Sequence, residues 1–196
     1  MKISNINGRI DRAGKHNDRN FNLDNASHID QNRLDENIYF TYNGDTESSF
    51  SEIERDFYEK HFSEYIEKQN EKNNKSRHSE RNKTIDDYVR GRLTRPEDKI
   101  LQIGHVKEHA TKEELWACAM EYYERFNEIY GDHCKILNMA LHMDEATPHV
   151  HIRRVWIAEN QEGLEYSSQE MALRQLGITP PDPEKVTGKY NNAKIT

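Results

Sequence analysis

The sequence predicts an α+β fold: a central antiparallel sheet of about five strands with helices packed on one face. Three observations predict it. Residues 135–158 read as two apolar strands joined by a short polar turn. Residues 50–67 and 111–130 carry apolar side chains at helical spacing. Short runs at 37–42 and 99–106, rich in β-branched and aromatic types, supply further strands between them. Strands interleaved with helices in this way suit a sheet covered by helices.

In chain order, residues 2–8 alternate weakly and can form a first strand, and residues 14–19 are polar and loop-like. Residues 24–36 are polar, and the strand at 37–42 closes on the turn chemistry of Asn43-Gly44-Asp45. The helix at 50–67 rests on Phe50, Ile53, Phe57, His61 and Tyr65, widened by Tyr58, Phe62 and Ile66. Residues 68–83 are nearly free of apolar side chains and rich in Lys, Arg and Asn, which predicts a mobile basic segment. Ile85, Tyr88 and Val89 suggest a short helix. Thr111 and Glu114 form a capping box for the helix at 111–130, striped by Leu115, Ala119, Tyr122, Phe126 and Ile129 and stopped at Gly131. Its outward face is acidic, so it should lie away from nucleic acid. After the hairpin, Asn160–Gly163 reads as a turn and Ser167 with Glu170 as the cap of a helix to about 176. Prolines at 180, 181 and 183 end it, leaving residues 179–196 as a polar tail.

At 196 residues the chain suits one domain, residues 1–178, with a sizeable core. Apolar residues make up 34% and charged residues 32%, so the surface is very polar. No run is long enough to span a membrane, none reads as a signal peptide, and two cysteines form no framework. These features predict a cytoplasmic protein without membrane contact from this segment. The net charge of −7 argues against nucleic acid until it is divided. Residues 68–107 hold 11 Lys/Arg against 6 Asp/Glu, and residues 1–23 hold 5 against 2. Phosphate binding depends on such local patches rather than on the total.

The chemistry concentrates in the hairpin. His149 and His151 point to one face of their strand, and the turn returns His142 beside them, with Asp144 and Glu145 in the connection. Three imidazoles with open positions left for substrate are what a catalytic divalent metal needs. A closed structural site is disfavoured, because neither Cys118 nor Cys134 has ligand-like spacing to the histidines. A lone His-x-His is weak in a chain with ten histidines, but the full string at a hairpin is far more specific.

That string, His142-Met-Asp-Glu145-Ala-Thr-Pro-His149-Val-His151, resembles the metal motif of the MobV-type (Mob/Pre) plasmid mobilisation relaxases, or plasmid recombination enzymes. These belong to the wider His-hydrophobic-His endonuclease group. Lys15-His16-Asn17-Asp18-Arg19 is similar to the signature near the start of the same proteins. The resemblance implies a relaxase-like fold and a metal-dependent DNA-nicking and strand-transfer endonuclease that cuts one strand at a plasmid or mobile-element origin. It makes His16 the nucleophile, forming a covalent histidine–5′-phosphate intermediate. Arg19, with Lys15, would face phosphate oxygens. Arg92 and Arg95 match a pair of arginines that contact DNA in the family. The implied ion is manganese, with magnesium possible, at His142, His149 and His151. Glu145 could accept a proton from His16, hold a metal-bound water, or orient a ligand histidine; Asp144 reads as a turn residue. The family has an acidic residue in the strand at 99–106, where Gln102, Gly104 and His105 offer no match. Family members continue into a long helical region used for oligomers and membrane contact, so the tail is expected to be the start of such a region. Two alternatives remain: a replication initiator or transposase of the same group using Tyr39 or Tyr42, and a non-catalytic DNA-binding module with a degenerate metal site.

Overall fold

A computed structural model describes residues 3–6 and 14–179, with side chains from Lys15 onward. The rest of the expected first strand and residues 180–196 of the polar tail lie outside the described residues. The strands are β1 (Ile3–Ile6), β2 (Ile38–Thr41), β3 (Glu97–His105), β4 (Glu108–His109), β5 (Cys134–His142), β6 (His149–Glu159) and β7 (Glu165–Ser167). The helices are α1 (Phe50–Lys75), α2 (Ile85–Arg90), α3 (Lys112–Tyr130) and α4 (Gln169–Gln175). The chain groups into two compact units. The first holds Met1–Glu54, Glu97–Ile129 and Ile136–Arg154; the second holds Arg55–Pro96, Tyr130–Lys135 and the chain from Val155.

The fold is α+β, as expected. Five strands form an antiparallel sheet in the order β1-β3-β6-β5-β2, and β4 and β7 attach to β3 and β6. In the first unit, the register decides which side chains share a face. Ile100 lies opposite His151, Asp98 opposite Arg153 and Tyr39 opposite Ala140. Directly opposed residues point the same way, and alternate residues along a strand share a face. One face therefore carries Asp98, Asn138, His142, His149, His151 and Arg153. The other carries Phe40, Glu97 and Arg154.

Helix α3 covers the second of these faces. The Phe40 ring meets Tyr123 at 4.8 Å. The Arg154 guanidinium lies 4.9 Å from the Phe126 ring centre and pairs with Glu97 at 3.2 Å. The capping box forms as expected: Thr111 N donates to Glu114 at 2.9 Å and Glu114 N to Thr111 at 3.2 Å. Leu115, Ala119 and Phe126 are buried, but Ile129 is 61% exposed because the last turn of the helix is uncovered. On the histidine face, Arg153 makes a bidentate pair with Glu54 of α1 at 2.6 and 2.8 Å, and Asn138 donates to the same carboxylate at 3.0 Å. A buried arginine needs such a planar partner, so the start of α1 comes to this face.

In the second unit, α1 runs eight residues beyond the expected end at 67. Residues 68–75, expected in a mobile segment, are helical because Lys, Glu and Gln are good helix formers. Lys68 pairs with Glu64 and, with Lys72, faces Glu162. Asn70 exchanges two hydrogen bonds with the Lys83 backbone, at 2.8 and 2.9 Å, which fastens the returning chain. Helix α4 is capped by Ser168 rather than Ser167, which ends β7 and donates to Thr94 O at 2.9 Å.

Candidate active site

All the residues of the site lie in the first unit. His142 ends β5, while His149 and His151 open β6. The three imidazoles converge as the alternation predicts, with ring centres 5.0 to 5.3 Å apart, and all three are buried. Their hydrogen bonds fix the tautomers. A carbonyl oxygen only accepts, so His149 Nδ1 donates to Thr147 O (2.9 Å) and His142 Nε2 donates to Asn17 O (2.8 Å). His151 Nδ1 donates to the Asp98 carboxylate at 3.1 Å. The lone pairs of His149 Nε2 and His151 Nε2 then face each other at 3.2 Å. His142 Nδ1 is buried with no hydrogen-bond partner, 3.6 Å from Glu145 Oε1. Bare lone pairs turned on one another and on a carboxylate repel unless a cation lies among them. The donor set therefore fits a divalent metal. His142, Glu145 and His149 offer ligand atoms all within 4.8 Å of one another, and so do His16, His142 and His151.

Burial holds His142 down to about 3, with the Arg19 charge acting in the same direction, so the ring is neutral at ordinary pH. Burial lowers His149 as well. Neutral imidazoles are the ligand form.

The loop that carries His16 folds onto this cluster. Its ring centre lies 5.6 Å from His142 and 5.5 Å from His151. Phe21 and His28 stack on it at 6.0 and 6.1 Å. His16 Nε2 faces Glu145 Oε1 at 3.6 Å and Arg19 Nη1 at 3.4 Å. Asn17, wholly buried, links the loop to Asp98 through its side chain and to His142 through its carbonyl.

Arg19 departs from the expectation that it would bind phosphate. Its donors face Asp144 at 2.8 and 2.6 Å, Glu145 at 2.9 Å, the His16 carbonyl at 3.0 Å and His16 Nε2. Four of its five N–H groups donate to carboxylates and a carbonyl, so most of the fork is engaged within the protein. Asp144, read as a turn residue, is the anchor of this contact. It also accepts from Asn37 at 2.8 Å, and Asn37 in turn accepts from Met143 N at 2.7 Å. Burial pushes the Asp144 and Glu145 carboxyls up, but hydrogen bonds from Arg19, joined by Asn37 on Asp144 and by His16 on Glu145, outweigh it and hold both below their ordinary values.

Lys15 is exposed beside His16. Arg92 and Arg95 belong to the second unit; Arg92 is exposed, and Arg95 Nε is buried without a hydrogen-bond partner. Sequence reasoning missed Asp98, because the strand was expected to begin at 99 and β3 begins at Glu97. Alternation from Ile100 back to Asp98 was the signal available. Burial raises the Tyr39 hydroxyl above its ordinary value.

No family model and no curated protein matches the chain. Solved structures do. The chain shares its fold with the MobM relaxase domain (MOBV; Mob_Pre) bound to plasmid pMV158 oriT DNA, in Mn-bound crystal structures. For the one at pH 5.5, the TM-score is 0.52 at 18% identity, over 84% of this chain and 74% of that one. For the one at pH 6.8, with DNA carrying a 3′-thiophosphate, it is 0.51 at 21% identity, over 87% and 75%. The likeness to these structures is one of fold.

Proposed function

We propose that this protein is a metal-dependent, site-specific, single-strand DNA endonuclease, a relaxase that nicks a plasmid or mobile-element origin through a histidine–5′-phosphate linkage. The observation that carries this reading is the closeness of His16 to two imidazoles of the metal cluster, 5.6 and 5.5 Å between ring centres. The shared fold with an origin-bound relaxase domain supports it.

His142, His149 and His151 would hold the ion, and imidazole nitrogens favour manganese over magnesium. A bound divalent cation would supply Lewis-acid stabilisation of charge on the scissile phosphate. The His16 imidazole attacks phosphorus. An N–P bond forms, the bond from phosphorus to the 3′-oxygen breaks, and that oxygen leaves as a hydroxyl with a proton from solvent. Glu145 is a weak base while Arg19 and His16 hydrogen-bond to it. Its role is to orient His16 and stabilise the positive charge that develops on the ring. Asp98 and Thr147 fix the tautomers of the ligand histidines. Lys15, Arg92 and Arg95 contact phosphates. The raised Tyr39 hydroxyl is a poor source of phenolate, which disfavours it as nucleophile.

Mass spectrometry of the protein incubated with manganese and candidate origin oligonucleotides tests the proposal. The wild type should form a covalent adduct that acid destroys, as expected for a P–N bond. His16→Ala should lose it while keeping metal and DNA binding. Tyr39→Phe and Tyr42→Phe should retain it. An acid-stable adduct, or attachment by His16→Ala, would promote the tyrosine reading. No adduct with any substrate would favour the non-catalytic module.

A further inference from the structure

Beside the His16 loop, the first unit contains a cavity of about 850 Å³. Asp18, Asn20, Tyr39, Asp45, Phe50 and Glu52 are among the residues that line it. Two features restrict what can enter. Four carboxylates, Asp18, Asp45, Glu47 and Glu52, line the cavity, and no Lys, Arg or His does. A phosphate is repelled from such walls, whereas a neutral ring is not. Tyr39 is 42% exposed and its ring meets that of Phe50 edge-on at 6.1 Å, so an aromatic side chain is offered ready-made. Asp18 and Asp45 are also fixed in direction. Asp18 accepts from Asn20 N at 3.1 Å and from Phe50 N at 2.8 Å, and Asp45 accepts from Glu47 N and Ser48 N. Each Asp18 oxygen accepts one bond and keeps a further lone pair, and Asp45 takes both of its bonds on Oδ1, which leaves Oδ2; such acceptors suit the exocyclic amine of a base.

We propose that this cavity takes an unstacked nucleobase of the single-stranded DNA, one bearing an exocyclic amine, stacked on Tyr39 while its phosphates stay outside. Asp18 and Asn20 follow His16 by two and four residues, so a base seated there sets which phosphate lies at the nucleophile. The inference rests on the DNA-nicking reading of the adjoining site.

Fluorescence anisotropy with labelled single-stranded 12-mers tests it: oligo-dC, oligo-dT, and a 12-mer of abasic tetrahydrofuran residues. The wild type should bind oligo-dC about tenfold more tightly than the abasic strand, a typical effect of stacking one base, and more tightly than oligo-dT. Tyr39→Ala should lose that difference yet bind the abasic strand like the wild type, which shows that it is folded. Tyr39→Phe should keep the preference. Equal wild-type binding of abasic and base-bearing strands, or Tyr39→Ala binding oligo-dC like the wild type, overturns the pocket even if a His16 adduct forms on origin DNA. Base- and Tyr39-dependent binding without any adduct upholds the pocket and overturns the nuclease. No binding to any strand overturns both.

Discussion

Arg19 adopts the left-handed backbone region (φ 57°) that few side-chain-bearing residues occupy. The conformation turns its fork back onto the hairpin, where it meets Asp144. Both side chains are buried, at 5% and 0% exposure. Removing one partner of such a pair leaves an uncompensated buried charge and costs about 3–5 kcal/mol. Arg19→Ala should therefore lower stability by that amount in urea unfolding. It should also abolish the adduct, because His16 loses the contact that holds its loop; stability within 1 kcal/mol of the wild type would show that the pair is idle. His142 supplies a second residue-level consequence. Its proton affinity in the folded chain corresponds to about 3, against an ordinary value near 6.5. Between these values the unfolded chain binds the proton and the folded chain does not. The associated stability is full above about 6.5 and is lost as pH falls toward 3. The melting temperature of the metal-free protein should drop from pH 7.5 to 5, and His142→Asn should flatten that slope; an unchanged slope would place the proton elsewhere.

At the level of elements, β3 and β6 meet so that Asp98 reaches His151 across the sheet. A carboxylate behind a ligand imidazole sets its tautomer and raises its basicity, and loss of such a partner commonly weakens metal affinity 10–100-fold. Asp98→Asn should weaken manganese binding by at least tenfold in calorimetry while circular dichroism stays unchanged, since asparagine keeps the shape. Undiminished affinity would remove Asp98 from the site. This contact also shows where sequence reading stopped. The hairpin was legible because its three histidines are near neighbours in the chain and strand alternation fixes their faces. Helix α3 was legible because its capping box and stripe are local. The partners separated by long stretches were not. Asp98 lies 53 residues from His151 and Arg19 lies 125 from Asp144. Nothing local tells a buried Arg–Asp pair from an arginine waiting for phosphate. The length of α1 was missed for the opposite reason: its last turns carry no apolar stripe, and ion pairs hold them.

Across the whole molecule, a net charge of −7 is poor preparation for a polyanion, so the proposed DNA binding has to draw on a few local cations rather than on the general field. Among the described residues, no helix is long and apolar enough to cross a membrane. Within the basic stretch 68–107, exposed Arg92 and the partly buried Arg95, with its unpartnered Nε, are the proposed phosphate contacts. Each phosphate neutralised on single-stranded DNA releases condensed counterions, so log affinity falls with log salt by about 0.7 per contact. Arg92→Ala and Arg95→Ala should each weaken binding at low salt and reduce the slope by about 0.7. The double variant should reduce it by about twice that, since the contacts are separate charges. Arg19→Ala, in contrast, should leave the slope untouched, because its charge is already paired with Asp144 and Glu145 within the protein. Titrations of a labelled oligonucleotide at several salt concentrations separate these outcomes. A slope that falls for Arg19→Ala and stays constant for Arg92→Ala and Arg95→Ala would reverse the assignment, putting the DNA backbone on Arg19 and leaving the two arginines of the second unit as solvated surface.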